Sequence, residues 1–293
     1  MSLTDEIKQT LRSGSSLIKL IYINLAIFVI VNIVEIFYFF LNRHDSYSAF
    51  LLTFAVPADF HLLIKKPWTV ITYMFLHKNF LHILFNLLWL YWFGKIFLEY
   101  LDGKKIVGVY ILGGLSGAFL YILAYNIFPV FFSQLHLSYA MGASAAVMAI
   151  VISIAAYVPD YSVYLLFFGR VKIIYIAIIG FLVTSVFDFS INTGGKIAHI
   201  GGALFGYLFT LQYRRGRDIT KGLNKFLSAV FGLFKPRPKV TVSYRKSETD
   251  YDYNQRKKDE QTEIDRILDK IAKSGYDSLT KDEKELLFRQ SRS

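Results

Sequence analysis

Residues 17–41 have the sequence LIKLIYINLAIFVIVNIVEIFYFFL, an apolar run broken only by Lys19, Asn24, Asn32 and Glu35. A helix rises about 1.5 Å per residue, so roughly 20 apolar residues cross the hydrocarbon core of a bilayer. A buried helix of a large soluble protein is the alternative, and the length of the run argues against it. The run therefore predicts a permanent membrane-spanning helix, since it is also longer than the apolar core of a cleaved signal peptide.

Five further apolar segments follow, separated by shorter connections. We place them at about residues 79–98, 105–127, 141–158, 172–188 and 197–213. Several contain Gly and Ser, which membrane helices tolerate and often use for close packing. The sequence thus predicts an all-α polytopic membrane protein. Its six-transmembrane-helix bundle would occupy residues 17–213 and follow a short polar N-terminus, residues 1–16.

Lysine and arginine are distributed unequally between the connections, within a chain of formal net charge +11. They flank the start of the first segment, two connections and the end of the sixth segment: Lys8, Arg12, Lys19, Lys104, Lys105, Arg170, Lys172, Arg214, Arg215 and Arg217. Because cytoplasmic loops are enriched in Lys and Arg, both termini are predicted to be cytoplasmic in an inner or plasma membrane. The second, fourth and sixth segments then run inward from the outer face.

The first loop, residues 43–76, is too apolar for a simply solvated connection. Pro57 and Pro67 argue against another full span. We expect a loop partly inserted into the membrane, with Trp68 at the level of the lipid headgroups, where aromatic rings are enriched. An ordinary loop outside the membrane is the alternative.

Ser144 follows Gly142 and Ala143 at the start of the fourth segment. One interpretation is a small-residue face for helix packing, because small residues are common where membrane helices meet. The other is a nucleophile at the beginning of a helix, with Gly142 ending the loop before it. Free backbone N–H groups at that position, including that of Ser144, would stabilise a developing oxyanion.

His199 lies in the first turns of the sixth segment and is the candidate base, since a serine hydroxyl needs a base to take its proton. Gly202 and Gly206 follow at a spacing of four, which removes side chains from one stripe of the helix. The small face after Ser144 is the natural partner for that stripe, so packing would bring the two reacting groups together. A histidine satisfied by a neighbouring carbonyl is the alternative.

His82 and Asn86 are four residues apart and share a face of the second helix. Both side chains donate hydrogen bonds, as an oxyanion site requires. An asparagine that only bridges helices is the alternative. His77 is expected to hold the first loop and the second helix together.

These residues predict a Ser–His dyad without a third member and without a cofactor. Asp188, the only acidic residue near the right depth, is expected to be neutral or to face water so close to lipid. A zinc site of His77, His82 and His199 is a rival use of the histidines. It lacks the His-Glu-x-x-His pattern of zinc proteases and leaves the serine without a role. The absence of cysteine excludes thiolate catalysis and cysteine-ligated metals.

Three motifs, HILFNLLW at 82–89, GASA at 142–145 and AHIGGALFG at 198–206, resemble the rhomboid intramembrane serine proteases. The resemblance extends over about residues 15–215. It implies a six-helix core whose Ser–His dyad opens to the outer face through a water-filled cavity. It also implies an oxyanion site from the His82 and Asn86 side chains and the Ser144 N–H. The implied substrates are single-pass membrane proteins, cut near the top of their spans.

Two positions depart from the family pattern. Thr69 follows Trp68 where many rhomboids have arginine, and Met148 stands one turn after Ser144 where an aromatic residue often packs on the histidine. These departures bear on loop rigidity and histidine orientation, although no reacting group is lost. A catalytically silent rhomboid-like protein that binds transmembrane segments is the alternative function, and the intact pair Ser144 and His199 argues against it. A solute transporter would place its polar residues at mid-membrane.

After residue 213 the chain is hydrophilic. We assign residues 214–261 to a basic interfacial segment, with membrane lipids as partner, followed by a linker. Residues 262–293 are predicted to form a small cytoplasmic helical hairpin, with Gly275 between its helices and a capping box at Thr280 and Glu283. The interspersed acidic residues argue against nucleic-acid binding, and no oligomeric state is predicted.

Overall fold

The computed structural model describes residues 15–187, 192–233 and 250–290. The chain divides into two compact units, Met1–Lys235 and Pro236–Ser293. Asp188 and most of the predicted N-terminal segment lie outside the described residues.

The larger unit is built almost entirely of helices. In chain order these are α1 (Ser16–Phe40), α2 (His44–Leu52), α3 (Phe60–Lys65), α4 (Thr69–Thr72), α5 (Phe80–Tyr100), α6 (Gly103–Ile127), α7 (Ser144–Tyr157), α8 (Ile173–Ser185), α9 (Thr193–Arg214) and α10 (Lys221–Leu233). Two short antiparallel pairs join β1 (Val56–Pro57) to β2 (Tyr139–Ala140) and β3 (Ser162–Leu165) to β4 (Gly169–Lys172).

Six of these helices coincide, within four residues at each end, with the predicted membrane segments. By length and composition, α1, α5 and α6 can each cross a membrane, whereas α7 and α8 are shorter apolar helices. The all-α polytopic membrane fold is therefore confirmed.

Helix α7 lies at the centre of the larger unit. Most of its 14 residues are buried, and it contacts α5, α6, α8 and α9. At 1.5 Å per residue it is about 21 Å long, well short of a hydrocarbon core of about 30 Å. Its first turn, which begins at Ser144, can therefore lie below the membrane surface while the longer neighbours α5, α6 and α9 extend beyond it.

Glycines allow α9 to approach α7 at backbone distance. A Cβ added to Gly202 would lie 2.8 Å from the carbonyl carbon of Ala145 and closer still to its oxygen. A Cβ on Gly206 would lie 3.0 Å from the carbonyl carbon of Ala149 and, again, closer to its oxygen. The predicted packing of the glycine stripe on the small face after Ser144 is thus observed.

The first loop is held closed by three side chains. The Lys66 ammonium, the Trp68 indole N–H and the Thr72 hydroxyl donate to the carbonyls of residues 52, 53 and 54, at 3.3, 2.9 and 2.7 Å. Strand β1 of this loop pairs with β2, which lies four residues before Ser144. The loop is therefore anchored to the segment that carries the serine, and its insertion into the membrane stays a prediction.

The smaller unit consists of α11 (Asp250–Ser274) and α12 (Lys281–Gln290). Gly275 ends α11 at a φ of +78°. The capping box is formed, because the Thr280 N–H donates to the Glu283 carboxylate at 2.7 Å and the Glu283 N–H approaches the Thr280 hydroxyl at 3.4 Å. Lys270 also pairs with Glu283 at 2.8 Å.

One boundary of the tail was predicted wrongly. Residues 250–261, assigned to a linker, form the first half of α11. They lack an apolar stripe but are rich in good helix formers, and Arg256 lies 4.0 Å from Glu260 one turn later. Residues 234–249, which span the end of the predicted basic segment and the start of the predicted linker, lie outside the described residues.

Candidate active site

Four of the predicted site residues line one cavity of about 150 Å³, bordered by α5, α7, α8 and α9. They are Ser144, His199, His82 and Asn86. The remaining wall is mostly apolar and includes Met148, which is 6% exposed. Side chains 117 residues apart in the chain, from the second to the sixth long helix, therefore meet at one place.

Gly142 and the start of α7 position the serine. Gly142 has a φ of +129°, and its N–H donates to the Tyr73 carbonyl at 2.8 Å. A Cβ at Gly142 would lie 2.7 Å from Cε1 of His82, so a side chain is excluded twice, by conformation and by space. The first intrahelical N–H bond is that of Val147 at 2.9 Å, which leaves the Ser144 N–H without a helix partner.

The carbonyl of Thr184 orients His199. Nδ1 of His199 lies 3.2 Å from this oxygen, and because a carbonyl can only accept, Nδ1 carries the hydrogen in this contact. Nε2 then holds the lone pair of the neutral ring. Sequence reasoning missed Thr184, since a backbone carbonyl leaves no signal in residue type.

His77 is a buried hydrogen-bonding centre next to the cavity. Its Nδ1 lies 3.3 Å from the Phe75 carbonyl, which assigns the hydrogen to Nδ1. Its Nε2 accepts from the Ala143 backbone N–H and lies the same distance, 3.3 Å, from the Asn86 amide nitrogen. One neutral tautomer satisfies all three contacts, and the ring joins the first loop, α5 and the residue before Ser144.

Both amide hydrogens of Asn86 are engaged within the protein. The amide nitrogen donates to the His82 carbonyl at 2.9 Å, one turn back in α5, and approaches His77 Nε2 at 3.3 Å. Donation to another acceptor therefore requires one of these bonds to be exchanged. The His82 ring packs edge-on against His77, with ring centroids 5.2 Å apart.

The residues that line the cavity do not include the remaining predicted residues. Trp68 is 47% exposed and bonds within the first loop. Gly202 and Gly206 lie at the interface of α9 with α7. Within the ranges that the structure describes, no three His, Asp or Glu side chains converge as metal ligands would, so the rival three-histidine site is not found there.

The first loop carries one strongly bonded carboxylate outside the spanning helices. Asp59 accepts from the His61 backbone N–H at 2.7 Å and lies 2.6 Å from Nδ1 of His136. Burial of Asp59 opposes its charge, but these two hydrogen bonds outweigh burial and hold the pKa of Asp59 below its ordinary value. The contact ties the first loop to the connection between α6 and α7.

A family model described as Rhomboid domain matches residues 65–216, just over half of the chain. The chain belongs to the rhomboid family. This rhomboid is therefore an integral membrane protein of a family composed mostly of serine intramembrane proteases. Its smaller unit matches a second model, described as a family of unknown function (DUF6576), over residues 247–293. Comparison with curated proteins finds no match for the chain.

Proposed function

We propose that this rhomboid is a serine-type intramembrane endopeptidase that cleaves single-pass transmembrane proteins near the outer membrane face. The observation that carries the proposal is the shared cavity of Ser144 and His199. The Thr184 contact leaves Nε2 of His199 as the basic atom, which is the nitrogen a serine base must present.

The proposed reaction is acyl transfer through Ser144. Its Oγ attacks the scissile carbonyl while His199 Nε2 takes the hydroxyl proton, and the same proton then goes to the leaving amine. The oxyanion accepts from the Ser144 N–H, His82 and Asn86. We expect Asn86 to exchange its longer bond, that to His77, for the oxyanion. Water then releases the acyl group by the reverse proton route.

A peptide bond in a membrane helix is protected, because its carbonyl is hydrogen-bonded and water is absent. Two features of this rhomboid would overcome that protection. The short helices α7 and α8, of 14 and 13 residues, leave room above the cavity for water and an unwound substrate. The free N–H groups at the start of α7 offer partners to an unwound carbonyl.

The experiment that tests the proposal is cleavage of a single-pass reporter by the purified chain in detergent. We expect cleavage to vanish in Ser144→Ala and in His199→Ala. Ser153→Ala is the matched control, since Ser153 lies on the same helix and its hydroxyl bonds only to the carbonyl of Ile150. An organofluorophosphonate should label the unmodified protein and not Ser144→Ala. Cleavage that survives Ser144→Ala would exclude this mechanism.

The alternative is a silent rhomboid that binds transmembrane segments without cutting them. It predicts no cleavage of any of several reporters and no labelling by the organofluorophosphonate, with reporter binding unchanged in Ser144→Ala. The engaged amide of Asn86 is the observation that favours it, because the resting site holds that donor away from a substrate.

We further propose that both termini are cytoplasmic in a cell membrane and that the cavity opens toward the outer face. The excess of lysine and arginine at one end of the bundle supports this orientation. The chain contains no cysteine, so single cysteines are unique labels. A membrane-impermeant maleimide added outside should label Ser133→Cys, before β2, and spare Ser162→Cys, in the β3–β4 hairpin. The opposite pattern would reverse the orientation.

A further inference from the structure

A second polar pocket, of about 360 Å³, lies where the start of α6 meets α10, at the end of the bundle that we propose to be cytoplasmic. Its lining contains two aspartates and six residues that can donate hydrogen bonds, namely Lys104, Lys105, Lys221, Asn224, Lys225 and Ser228. Its volume is in the range of small-molecule and headgroup sites. The proposed protease chemistry does not use any of these residues.

The pocket is lined by four lysines and two aspartates, and only one of these lysines forms an ion pair with a described residue. Asp102 is occupied, because it accepts from the backbone N–H groups of Lys104 and Lys105 and pairs with the Lys105 ammonium. In the part of the chain that the structure describes, no carboxylate pairs with Lys104, Lys221 or Lys225. Three ammonium groups thus line one cavity without an ion pair to any carboxylate that the structure describes.

The second aspartate of the pocket, Asp218, has a local role. Its carboxylate accepts from the backbone N–H of Thr220 at 2.9 Å and from the Thr220 hydroxyl at 2.6 Å. Thr220 is fully buried, and a Cβ added to Gly108 of α6 would lie 2.6 Å from its Cβ. The base of α10 is therefore fixed against α6, which makes the pocket a preformed feature.

The donors on α10 share one face of that helix. Lys221, Asn224, Lys225 and Ser228 follow at intervals of three and four residues, which places them in one row. Apolar side chains occupy the other side, where Leu223, Leu227 and Val230 are half-buried. Phe226 is 63% exposed although it is aromatic. A helix with a lysine face and an exposed apolar flank is typical of a membrane interface.

We propose that this pocket binds the phosphate headgroup of an anionic phospholipid. Basic pockets between transmembrane helices on the cytoplasmic side suit such headgroups, because phosphate oxygens accept from several lysines at once. The exposed Phe226 favours a lipid over free phosphate, since acyl chains would cover its ring. Binding would hold α10 between α6 and the lipid surface.

The test measures binding to the full chain in uncharged detergent by titration calorimetry. The probes are dioctanoyl phosphatidylglycerol, dioctanoyl phosphatidylcholine and inorganic phosphate. We expect tight binding of the first probe alone. Loss of a lysine near an anionic surface weakens attraction about fivefold, so Lys221→Ala with Lys225→Ala should weaken it about 25-fold. Lys257→Ala with Lys258→Ala in α11 removes the same charge elsewhere and should change binding less than twofold.

Two further variants guard against a folding defect. Lys104→Ala changes only the opposite wall of the pocket and should weaken phosphatidylglycerol binding about fivefold. Lys221→Arg with Lys225→Arg retains both charges and should bind this lipid as the unmodified protein does. Equal losses in the α11 control would indicate general charge attraction and overturn the site. Unchanged phosphatidylglycerol binding in the α10 double variant would also overturn it, and so would phosphate binding as tight as the lipid. The readout does not require proteolysis, so it tests lipid binding independently of the proposed protease activity.

Discussion

Gly202→Ala tests whether backbone-distance packing of α9 on α7 sets the distance between the two proposed reacting groups. Ala145, which Gly202 faces, directly follows Ser144, and His199 lies three residues before Gly202 on α9. The new Cβ would lie 2.8 Å from the Ala145 carbonyl carbon and closer to its oxygen. Neither atom is the end of a flexible side chain, so the helices themselves must move.

The size of that movement follows from van der Waals distances. Carbon atoms make contact at about 3.5–4.0 Å, so the two helices must separate by roughly 1 Å at this point. A misplacement of about 1 Å can cost about 100-fold in rate when it shifts reacting groups. Overpacking of this kind also costs about 1–3 kcal/mol, which exceeds the gain of up to about 1 kcal/mol from replacing a helical glycine by alanine.

We therefore expect Gly202→Ala to cleave a single-pass reporter about 100-fold more slowly and to melt at a lower temperature. The matched control is Gly222→Ala in α10, where a Cβ would meet no atom within 4 Å. It should melt at the same temperature or slightly higher and keep full activity. Cleavage by Gly202→Ala within threefold of the unmodified protein, with unchanged melting, would refute the reasoning. A lower melting temperature with full activity would show that this packing stabilises the fold but does not set the distance between the reacting groups.

Asn86→Ala should retain the fold, measured by thermal melting, and lose about 100- to 1,000-fold in reporter cleavage, because one oxyanion donor is removed. Asp59→Asn should lower the melting temperature at pH 7, and the difference from the unmodified protein should shrink as the pH falls below the ordinary carboxyl range. The lowered pKa of Asp59 means that its contribution is present above its ordinary value and is lost as pH falls. Glu283 accepts from Lys270, which lowers the pKa of Glu283 to about 2. The stabilising contribution of Glu283 should therefore be complete above about pH 4.5 and decrease toward pH 2. Hydrogen exchange of α12 in the full chain, corrected for intrinsic rates, measures this stability. The protection of α12 should decrease with pH in this way in the unmodified protein and not in Glu283→Gln.

The parts of the fold that were predictable are those that depend on hydrophobic length and on side-chain size. An apolar run long enough to cross a bilayer can adopt few structures, because every backbone polar group must form its hydrogen bond within the protein. Gly202 and Gly206 were informative for a similar reason, since a stripe without side chains allows an approach that no other residues permit. The start of α11 was missed because its first half has no apolar stripe that would indicate a helix from the sequence.

The hydrogen-bond pattern of the site could not be predicted, because residue spacing shows which helix face carries the donors but not which acceptors those donors already bind. Asn86 is an example. Its bond to the His82 carbonyl lies within α5 and is the shorter, whereas its contact with His77 is longer and is shared with the Ala143 N–H. If Asn86 turns toward an oxyanion, His77 Nε2 keeps the Ala143 N–H, so no buried acceptor is left unsatisfied. The residue before Ser144 therefore stays in place while the donor is released, and for this reason we expect the exchange to cost little.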